Sequence, residues 1–274
     1  MVNCKICSSK CFWETNFTLK CTKCNYLFSN LKPGTGREIL GIEDLRKKNF
    51  KKIILFLKKN YKKKLLNKTI LEIGSGDGYF AELCLEKNLR IYPSEANKKD
   101  LKKLSDKFKT TLFINFEKKI PKKKFDIIIF NDVFEHLKNI NKSVSNVTNL
   151  LKKNGLVILN LPSSDGIIYK ISLLLYKLGI KNFYNRLWQK NLSSPHLSYF
   201  NNKNLKKLFE LSNFKCILST RLDIVSFKNY KRLNSTIKNS FISGVLSILI
   251  NVFFFLQKIF KSDVILLFFK KSVN

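Results

Sequence analysis

From residue 69 onward, the chain alternates short apolar runs rich in β-branched residues with segments whose apolar positions recur every three or four residues. The first pattern is typical of buried strands, and the second is typical of helices packed on one face. Their alternation predicts an α/β domain, with a parallel sheet flanked by helices. The predicted strands are 69–73, 89–92, 111–114, 125–130, 156–160, 214–220 and 264–269, and the predicted helices are 79–87, 98–108 and 140–151.

The chain upstream of the sheet divides into two parts. Residues 33–66 begin with a Pro-Gly linker and then place apolar side chains at mostly helical spacing, which predicts one or two helices. We therefore expect a small N-terminal unit over 1–32, a helical linker segment over 33–66 and the main domain over 67–274. Two further stretches, near 163–194 and 222–262, are predicted insertions that form a helical cap.

The N-terminal unit contains two Cys-x-x-Cys pairs separated by 13 residues. Four thiolates complete the tetrahedral environment of a structural zinc ion and leave no open position for catalysis. The spacing predicts a zinc ribbon, and a unit of about 30 residues needs such a staple to fold. Cys11, between the pairs, is either a substitute ligand or a bystander. The predicted ligands are Cys4, Cys7, Cys21 and Cys24, and the aromatic residues Phe12, Trp13, Phe17, Tyr26 and Phe28 are expected to form a small core around them.

The net charge of +33 suggests nucleic acid or an anionic membrane as a partner. Only six of the 52 basic residues are Arg, however, and Arg is the residue favoured for reading phosphates and bases. The scattered lysines indicate a general compositional bias, so a nucleic-acid partner is less favoured than acidic small molecules or lipid headgroups. The N-terminus lacks the apolar region of a signal peptide, so we expect a cytoplasmic protein whose cysteines bind metal.

The segment LEIGSGDGYF (71–80) places glycines at alternate positions directly after a predicted strand. A dinucleotide fingerprint would need a small residue where Tyr79 stands, so the spacing disfavours NAD. Glycines at alternate positions permit positive φ and let a ligand lie on the backbone. Seventeen residues after Gly78, Glu95 follows the second strand, where a carboxylate can accept hydrogen bonds from both ribose hydroxyls. A purely structural turn and a solvated carboxylate are the alternatives.

An ordered series of motifs extends this site: LEIGSGDGYF (71–80), Glu95, FDIIIFNDVFEHL (125–137), LLKKNGLVILNLPS (150–163) and PHLSYF (195–200). The series resembles the class I S-adenosylmethionine-dependent methyltransferases, and within them the branch related to ubiquinone-biosynthesis methyltransferases. Some members of that branch carry an N-terminal zinc ribbon. The resemblance runs from about residue 4 to about residue 221. It implies a Rossmann-like seven-stranded methyltransferase sheet, S-adenosyl-L-methionine as cofactor and a structural Zn²⁺ ion.

The resemblance also implies which residues contact the cofactor. The three glycines of the turn would line its methionine part, a glutamate would support its amino end, and side chains at the next strand ends would meet ribose, adenine and acceptor. In that order, these residues are Gly74, Gly76 and Gly78, then Glu72, then Glu95, Asn115, Asn131 and Asp132.

His136 and His196, the two histidines of the chain, both lie inside family-like motifs. Methyl transfer from a sulfonium is an in-line displacement, and a base helps when the acceptor is a hydroxyl or a carbon acid. An imidazole can take a proton at neutral pH, so both are predicted catalytic residues. In the alternative, His136 only shapes the pocket and His196 only ties down its loop.

The acceptor is less defined than the cofactor. The chain lacks the Asn/Asp-Pro-Pro-aromatic run of enzymes that methylate base amino groups, and it lacks a Pro-Cys nucleophile. We therefore predict a methyltransferase that acts on a small-molecule, sugar or lipid-linked acceptor. An RNA methyltransferase that docks through its ribbon and lysines, and a non-catalytic cofactor-binding module, are the alternatives.

Residues 239–257 form an uncharged stretch of nineteen residues, just long enough to span a membrane. A single span would separate the strands predicted at 214–220 and 264–269, which this fold pairs in one sheet. An interfacial helix on an anionic membrane surface, flanked by lysines, or a buried cap over the acceptor fits better. The expected location is the cytoplasm, with attachment to the inner face of the membrane left open.

Overall fold

A computed structural model describes residues 2–36, 43–118, 120–223 and 261–272, together with residue 244. The N-terminal part is an antiparallel meander whose turns carry the two Cys-x-x-Cys pairs. Its strands are β1 (Val2–Asn3), β2 (Lys10–Trp13), β3 (Thr18–Cys21) and β4 (Leu27–Ser29).

The small aromatic core predicted for this part forms only in part. Phe17, Tyr26 and Phe28 are buried, as expected. Phe12 and Trp13 are instead about half exposed, because they lie on β2, where no residue is fully buried.

A long helix, α1 (Glu43–Tyr61), follows and passes into a short 3-10 helix, Lys62–Asn67. The apolar positions that predicted it, among them Phe50, Ile53 and Leu57, are buried against the main sheet. Three further positions of the same pattern, at 39, 40 and 42, lie outside the described residues.

The remaining elements form the main domain and its cap. The strands are β5 (Thr69–Ile73), β6 (Arg90–Glu95), β7 (Leu112–Phe113), β8 (Phe125–Asn131), β9 (Leu151–Pro162), β10 (Ser198–Tyr199), β11 (Phe214–Arg221) and β12 (Val264–Lys271). The helices are α2 (Tyr79–Leu85), α3 (Lys98–Lys107), α4 (Ile140–Leu150), α5 (Ile167–Lys177), α6 (Asn182–Leu187) and α7 (Asn202–Glu210), with a 3-10 turn at Phe134–His136.

Seven strands make one mixed sheet in the order β11-β12-β9-β8-β5-β6-β7. The five from β9 to β7 are parallel, and β12 runs antiparallel to both of its neighbours. The predicted α/β sheet is confirmed. The main difference is β9, which begins five residues earlier than predicted and continues to Pro162.

Alternate residues of the central strands bury their side chains on opposite faces of the sheet. On β8, Ile128 packs into one apolar cluster, whereas Ile127 and Ile129 pack into the other. A strand with both faces covered reads as a continuous apolar run, which explains the sequence FDIIIF. The sheet therefore lies between two helical layers, with the carboxyl ends of its parallel strands at one edge.

Strand β10 lies outside the main sheet and joins the N-terminal meander. Ser198 and Tyr199 pair with Phe28 and Leu27 of β4, so the small sheet has the order β1-β2-β3-β4-β10. The N-terminal unit is thereby hydrogen-bonded to the segment that carries His196.

Among the residues described here, no helix has both the length and the apolar character needed to cross a membrane. The stretch 239–257 lies outside them.

Candidate active site

The glycine-rich turn after β5 has the conformation that its sequence requires. Gly74, Gly76 and Gly78 have φ values of +67°, +55° and +83°, a region that L side chains rarely adopt. A Cβ added at Gly76 would meet no described atom within 4 Å. The middle of the turn therefore offers bare backbone beside open space, as a cradle for a ligand does.

Hydrogen bonds tie this turn to the end of β6. The Ser94 hydroxyl donates to the Glu72 carbonyl at 2.7 Å, and the Gly76 amide donates to Glu95 Oε1 at 2.6 Å. Pro93 does not interrupt the strand, which keeps its parallel register with Glu72 opposite Pro93. Glu95 thus lies directly beside the glycines.

Glu72 is almost fully buried at the end of β5. Its Oε1 accepts a hydrogen bond from Asn131 Nδ2 at 2.9 Å, whereas its Oε2 is buried without a partner among the described residues. Burial raises the pKa of Glu72 to about 8. A buried carboxylate with one free oxygen fits a cationic ligand group such as an ammonium, since pairing would offset the desolvation cost.

Asn115 lies one strand further along the same edge. The amide of Ile114 donates to the Glu95 carbonyl at 3.0 Å, which brings the half-buried Asn115 next to the end of β6. The eight predicted cofactor residues therefore follow the carboxyl ends of four adjacent strands, β7, β6, β5 and β8.

A cavity of about 360 Å³ lies at the same edge, between the sheet and the cap. Helix α1, the ends of β8 and β9, the cap helices and β10 all contribute to its wall. The polar side chains that line it include Arg46, Asp132, Glu135, Asn160, His196 and Tyr199.

Asp132 connects the two parts of the site. It has a φ of +55°, which is strained for a residue other than glycine, and its amide donates to the Asn160 carbonyl at 2.8 Å. Its Oδ2 lies 3.7 Å from Arg46 Nε. Burial raises the pKa of Asp132, and the positive charge of Arg46 opposes this rise.

The structure brings the two histidines together, with ring centroids 4.8 Å apart, but gives them different positions. His196 lines the cavity, and its buried Nδ1 has no partner in the described part of the chain. His136 lies behind it, with Nδ1 2.9 Å from the Pro195 carbonyl. A carbonyl only accepts, so that Nδ1 carries the proton when this bond forms.

Glu135 completes this group. Both carboxylate oxygens are buried without a hydrogen-bond partner among the described residues, and Oε1 lies 4.0 Å from His196 Nε2. Burial raises the pKa of Glu135 well above its usual range and lowers the pKa of His196 well below 6.5. The His196 imidazole is therefore neutral at pH 7, and burial favours the protonated form of Glu135.

Two groups of side chains among the described residues could hold a metal ion. The donor atoms of Glu135, His136 and His196 lie within 4.8 Å of one another, which is close enough to share a divalent cation. The four cysteines of the ribbon make the second group.

The four cysteine sulfurs lie within 4.8 Å of one another, close to the spacing of a tetrahedral zinc site. Cys4 Sγ lies 3.5 Å from Cys24 Sγ, and Cys7 Sγ lies 3.4 Å from Cys21 Sγ. A tetrahedron with Zn–S bonds of about 2.3 Å separates its sulfurs by roughly 3.8 Å. Cys11 stays outside the group, with its sulfur 3.8 Å from the Ser9 carbonyl.

Sequence reasoning missed several residues of the cavity. Glu135 lies inside the motif FDIIIFNDVFEHL, directly before His136, so the sequence could have identified it as a site residue. Asn160 follows the apolar run of β9 and could have been found as a polar residue at a strand end. Arg46 has no such signal, because only the packing of α1 brings it to the site.

Comparison with known proteins agrees with this geometry. The sequence profile of the family described as Methyltransferase domain matches residues 43–219, and the chain belongs to that family. No curated protein sequence matches the chain.

Solved structures share the fold at low sequence identity. Magnesium protoporphyrin IX methyltransferase from Synechocystis PCC 6803, with bound SAH, has a TM-score of 0.55 at 13% identity, covering 87% of this chain and 90% of that chain. A SAM-dependent methyltransferase from Archaeoglobus fulgidus gives 0.50 at 18%, covering 84% and 97%. The cyclopropane synthase MmaA2 from Mycobacterium tuberculosis gives 0.52 at 12%, covering 74% and 78%.

The chain is thus a class I S-adenosylmethionine-dependent methyltransferase, as the series of motifs predicted. The fold class is confirmed, and so is the prediction of an enzyme rather than a non-catalytic module.

Proposed function

We propose that this enzyme transfers a methyl group from S-adenosylmethionine to a hydroxyl or carbon acid of a small-molecule, sugar or lipid-linked acceptor. The observation that carries the proposal is the buried His196, which lines a cavity at the same edge of the sheet as the glycine-rich turn. An acceptor in that cavity would lie between an available imidazole and the cofactor edge of the sheet.

The cofactor supplies an electrophilic methyl group on a sulfonium. Gly74, Gly76 and Gly78 would hold its methionine part against the backbone, and Glu72 would pair with its ammonium through the free Oε2. Glu95 would accept from the ribose hydroxyls. In addition, Asn115 would contact the adenine, and Asn131 and Asp132 would face both cofactor and acceptor.

On the acceptor side, His196 is the group we assign as proton acceptor. A lowered pKa keeps its imidazole neutral at pH 7, so it can take a proton when the acceptor is methylated. His136 would position it, because the two rings are in contact and His136 is itself held by the Pro195 carbonyl. A divalent cation on Glu135 and the two histidines is an alternative way to lower the pKa of an acceptor hydroxyl.

We also propose that Cys4, Cys7, Cys21 and Cys24 bind a structural zinc ion, and that the chain falls in the ubiquinone-biosynthesis-related branch. The spacing of the four sulfurs supports the zinc ion. The branch rests on the sequence FDIIIFNDVFEHL and on the ribbon preceding the catalytic domain.

An RNA acceptor is less well supported by the geometry. A ribbon used for docking should be free to move, whereas β4 pairs with β10 and Tyr26 bonds to Ser198 at 2.7 Å between their hydroxyl groups. These contacts favour a ribbon that holds in place the segment carrying His196.

The test is to incubate purified enzyme with methyl-labelled cofactor and cell extract and then separate RNA, lipid and small molecules. We expect label in the lipid or small-molecule fraction, incorporated about 100-fold more slowly with His196→Gln. Label that is found only in the RNA fraction, and that stays there after a high-salt wash, would contradict the proposal. Calorimetric titration with the cofactor separates a failure of binding from a wrong acceptor class.

A further inference from the structure

The two cap helices α5 and α6 expose large apolar side chains. Leu174, Leu178 and Phe183 are 58%, 69% and 59% exposed. Contiguous exposed apolar groups of this kind mark interaction sites in soluble proteins. We use the term cap face for the exposed residues Ile171, Leu174, Leu178, Ile180 and Phe183.

The opposite side of α5 packs against an aromatic cluster, where Leu173 and Tyr176 are partly buried. Tyr169 and Ser172 are its buried residues, and the Tyr169 hydroxyl bonds to the Tyr184 hydroxyl at 2.9 Å. Tyr176 donates to Asn16 of the ribbon at 2.6 Å. A surface helix of a soluble protein normally turns its apolar side inward. Helix α5 has a second apolar side, formed by Ile171, Leu174 and Leu178, which is exposed and therefore suited to an apolar surrounding.

Positive charge is interleaved with these apolar groups. Lys170, Lys177, Lys181 and Arg186 are all exposed on the same two helices. The sequence contains no acidic residue between Asp165 and Glu210. The partner should therefore be apolar and negatively charged at once, which describes the headgroup boundary of an anionic bilayer.

Other occupants match less well. A second copy of this chain would bring another +33 charge and the same basic cap face. The stretch 239–257 of the same chain is uncharged, so it could cover the aliphatic groups but would leave the four basic groups without partners. A bilayer with anionic lipids satisfies both requirements.

We propose that the cap face binds an anionic membrane surface, with α5 and α6 lying in the interface. At 11 residues α5 is far shorter than the roughly 20 residues of a spanning helix. The acceptor cavity opens at this face, because the exposed Phe183 and Arg186 also line its wall. That a lipid-linked acceptor enters from the bilayer rests on the proposed function, whereas membrane binding does not.

Flotation of the full-length protein with vesicles tests the proposal. Vesicles of phosphatidylcholine alone are compared with vesicles that also contain about 30% phosphatidylglycerol, an anionic lipid. We expect the protein to float with the anionic vesicles and to be released at high salt.

The double change Leu174→Asp and Leu178→Asp should reduce the bound fraction roughly tenfold or more, since two apolar side chains that enter the bilayer are lost. Leu211→Asp, at a residue 66% exposed on the main domain, is the matched control and should float normally.

A second variant tests the charges separately. Lys177→Glu with Lys181→Glu should weaken binding to anionic vesicles, whereas Lys102→Glu with Lys103→Glu, exposed on α3, should change it much less.

Wild-type protein that stays at the bottom with anionic vesicles overturns the proposal. So does unchanged flotation of the Leu174 and Leu178 variant, which would move the contact to another segment. A cap-face variant that changes only the oligomeric state, in light scattering without lipid, would instead identify a second copy as the occupant. Calorimetric titration with cofactor, expected to be unchanged in all variants, keeps these outcomes distinct from failure of the proposed function.

Discussion

The proposed active site has two halves, one for the cofactor and one for the acceptor, and they are assembled in different ways. The cofactor half comes mainly from residues 72–95, where hydrogen bonds join the ends of adjacent strands β5 and β6. The acceptor half takes Arg46 from α1, Asp132 and Glu135 from beyond β8, and His196 from the segment before β10. Residues more than a hundred positions apart must therefore pack correctly before the acceptor half exists.

The halves also differ in how well their polar atoms are satisfied. In the cofactor half the Glu95 and Glu72 carboxylates each accept a hydrogen bond from a neighbouring strand end. In the acceptor half, Glu135 and the His196 Nδ1 are buried without partners among the described residues. Each such atom costs about 1–3 kcal/mol, which a polar ligand would recover. Among the described residues, the cofactor half has one such atom, Glu72 Oε2, whereas Glu135 and His196 leave three in the acceptor half. We therefore expect the acceptor half to depend more on its ligand.

The largest effect is expected from Gly76→Arg, which should impair the cofactor half and leave the acceptor half intact. The new side chain would fill the open space beside the turn and would also be strained at a φ of +55°. We expect cofactor affinity to fall more than about 100-fold, equivalent to roughly 2.7 kcal/mol, in calorimetric titration.

Gly179→Arg is the matched control, because Gly179 also has a positive φ and an open Cβ position but lies after α5. Its cofactor affinity should match the wild type. Equal losses in both variants would mean that backbone strain, and not the cofactor site, explains the effect of Gly76→Arg.

A second, smaller effect should be confined to the acceptor half. His196→Gln should lower kcat by about 100-fold, the range for loss of a positioned base, and should leave cofactor affinity within twofold. His136→Gln, which keeps a side chain able to donate to Pro195, should cost less. Unchanged turnover in the double variant would reject both histidines as catalytic.

The pH profile of the wild type follows from the same residue. Burial lowers the pKa of His196 below 6.5, so its neutral, basic form persists at pH 6.5 and is lost only as pH falls further. We expect kcat/KM to be constant from about pH 7.5 down to about pH 6.5, the ordinary pKa of histidine. At more acidic pH, kcat/KM should fall. A decline already centred at 6.5 would indicate an exposed base.

The smallest effect concerns the connection between ribbon and acceptor half. The Ser29 hydroxyl donates to the His196 carbonyl at 2.8 Å, so Ser29→Ala should cost about 1 kcal/mol, or roughly fivefold in kcat/KM, with cofactor affinity unchanged. Ser105→Ala removes a similar bond on α3 and is the control. If the four cysteines hold the proposed zinc ion, its removal by a chelator should act in the same direction and more strongly. Equal loss of cofactor binding would instead indicate general unfolding.

Sequence analysis predicted the cofactor half more completely than the acceptor half. Strand β5 was predicted with its observed bounds, and the glycines after it have the positive φ that their spacing permits, because both patterns encode local conformation. The same reasoning treated the ribbon as a separate unit, and nothing in residues 27–29 indicated that they pair with β10. It also ranked His136 and His196 alike, although only His196 lines the cavity.

By itself, the sequence determined the sheet, the methyltransferase class and the cofactor edge, because strand periodicity, positive φ at glycine and cysteine spacing are properties of short segments. The tertiary structure alone decided that Arg46 and Glu135 face the cavity and that the ribbon holds the segment of His196. It also decided that Ile171 and Leu174 of α5 are exposed, whereas Leu173 packs inward. These features depend on contacts between segments distant in the chain, and a helical pattern of apolar residues is the same whichever side is buried.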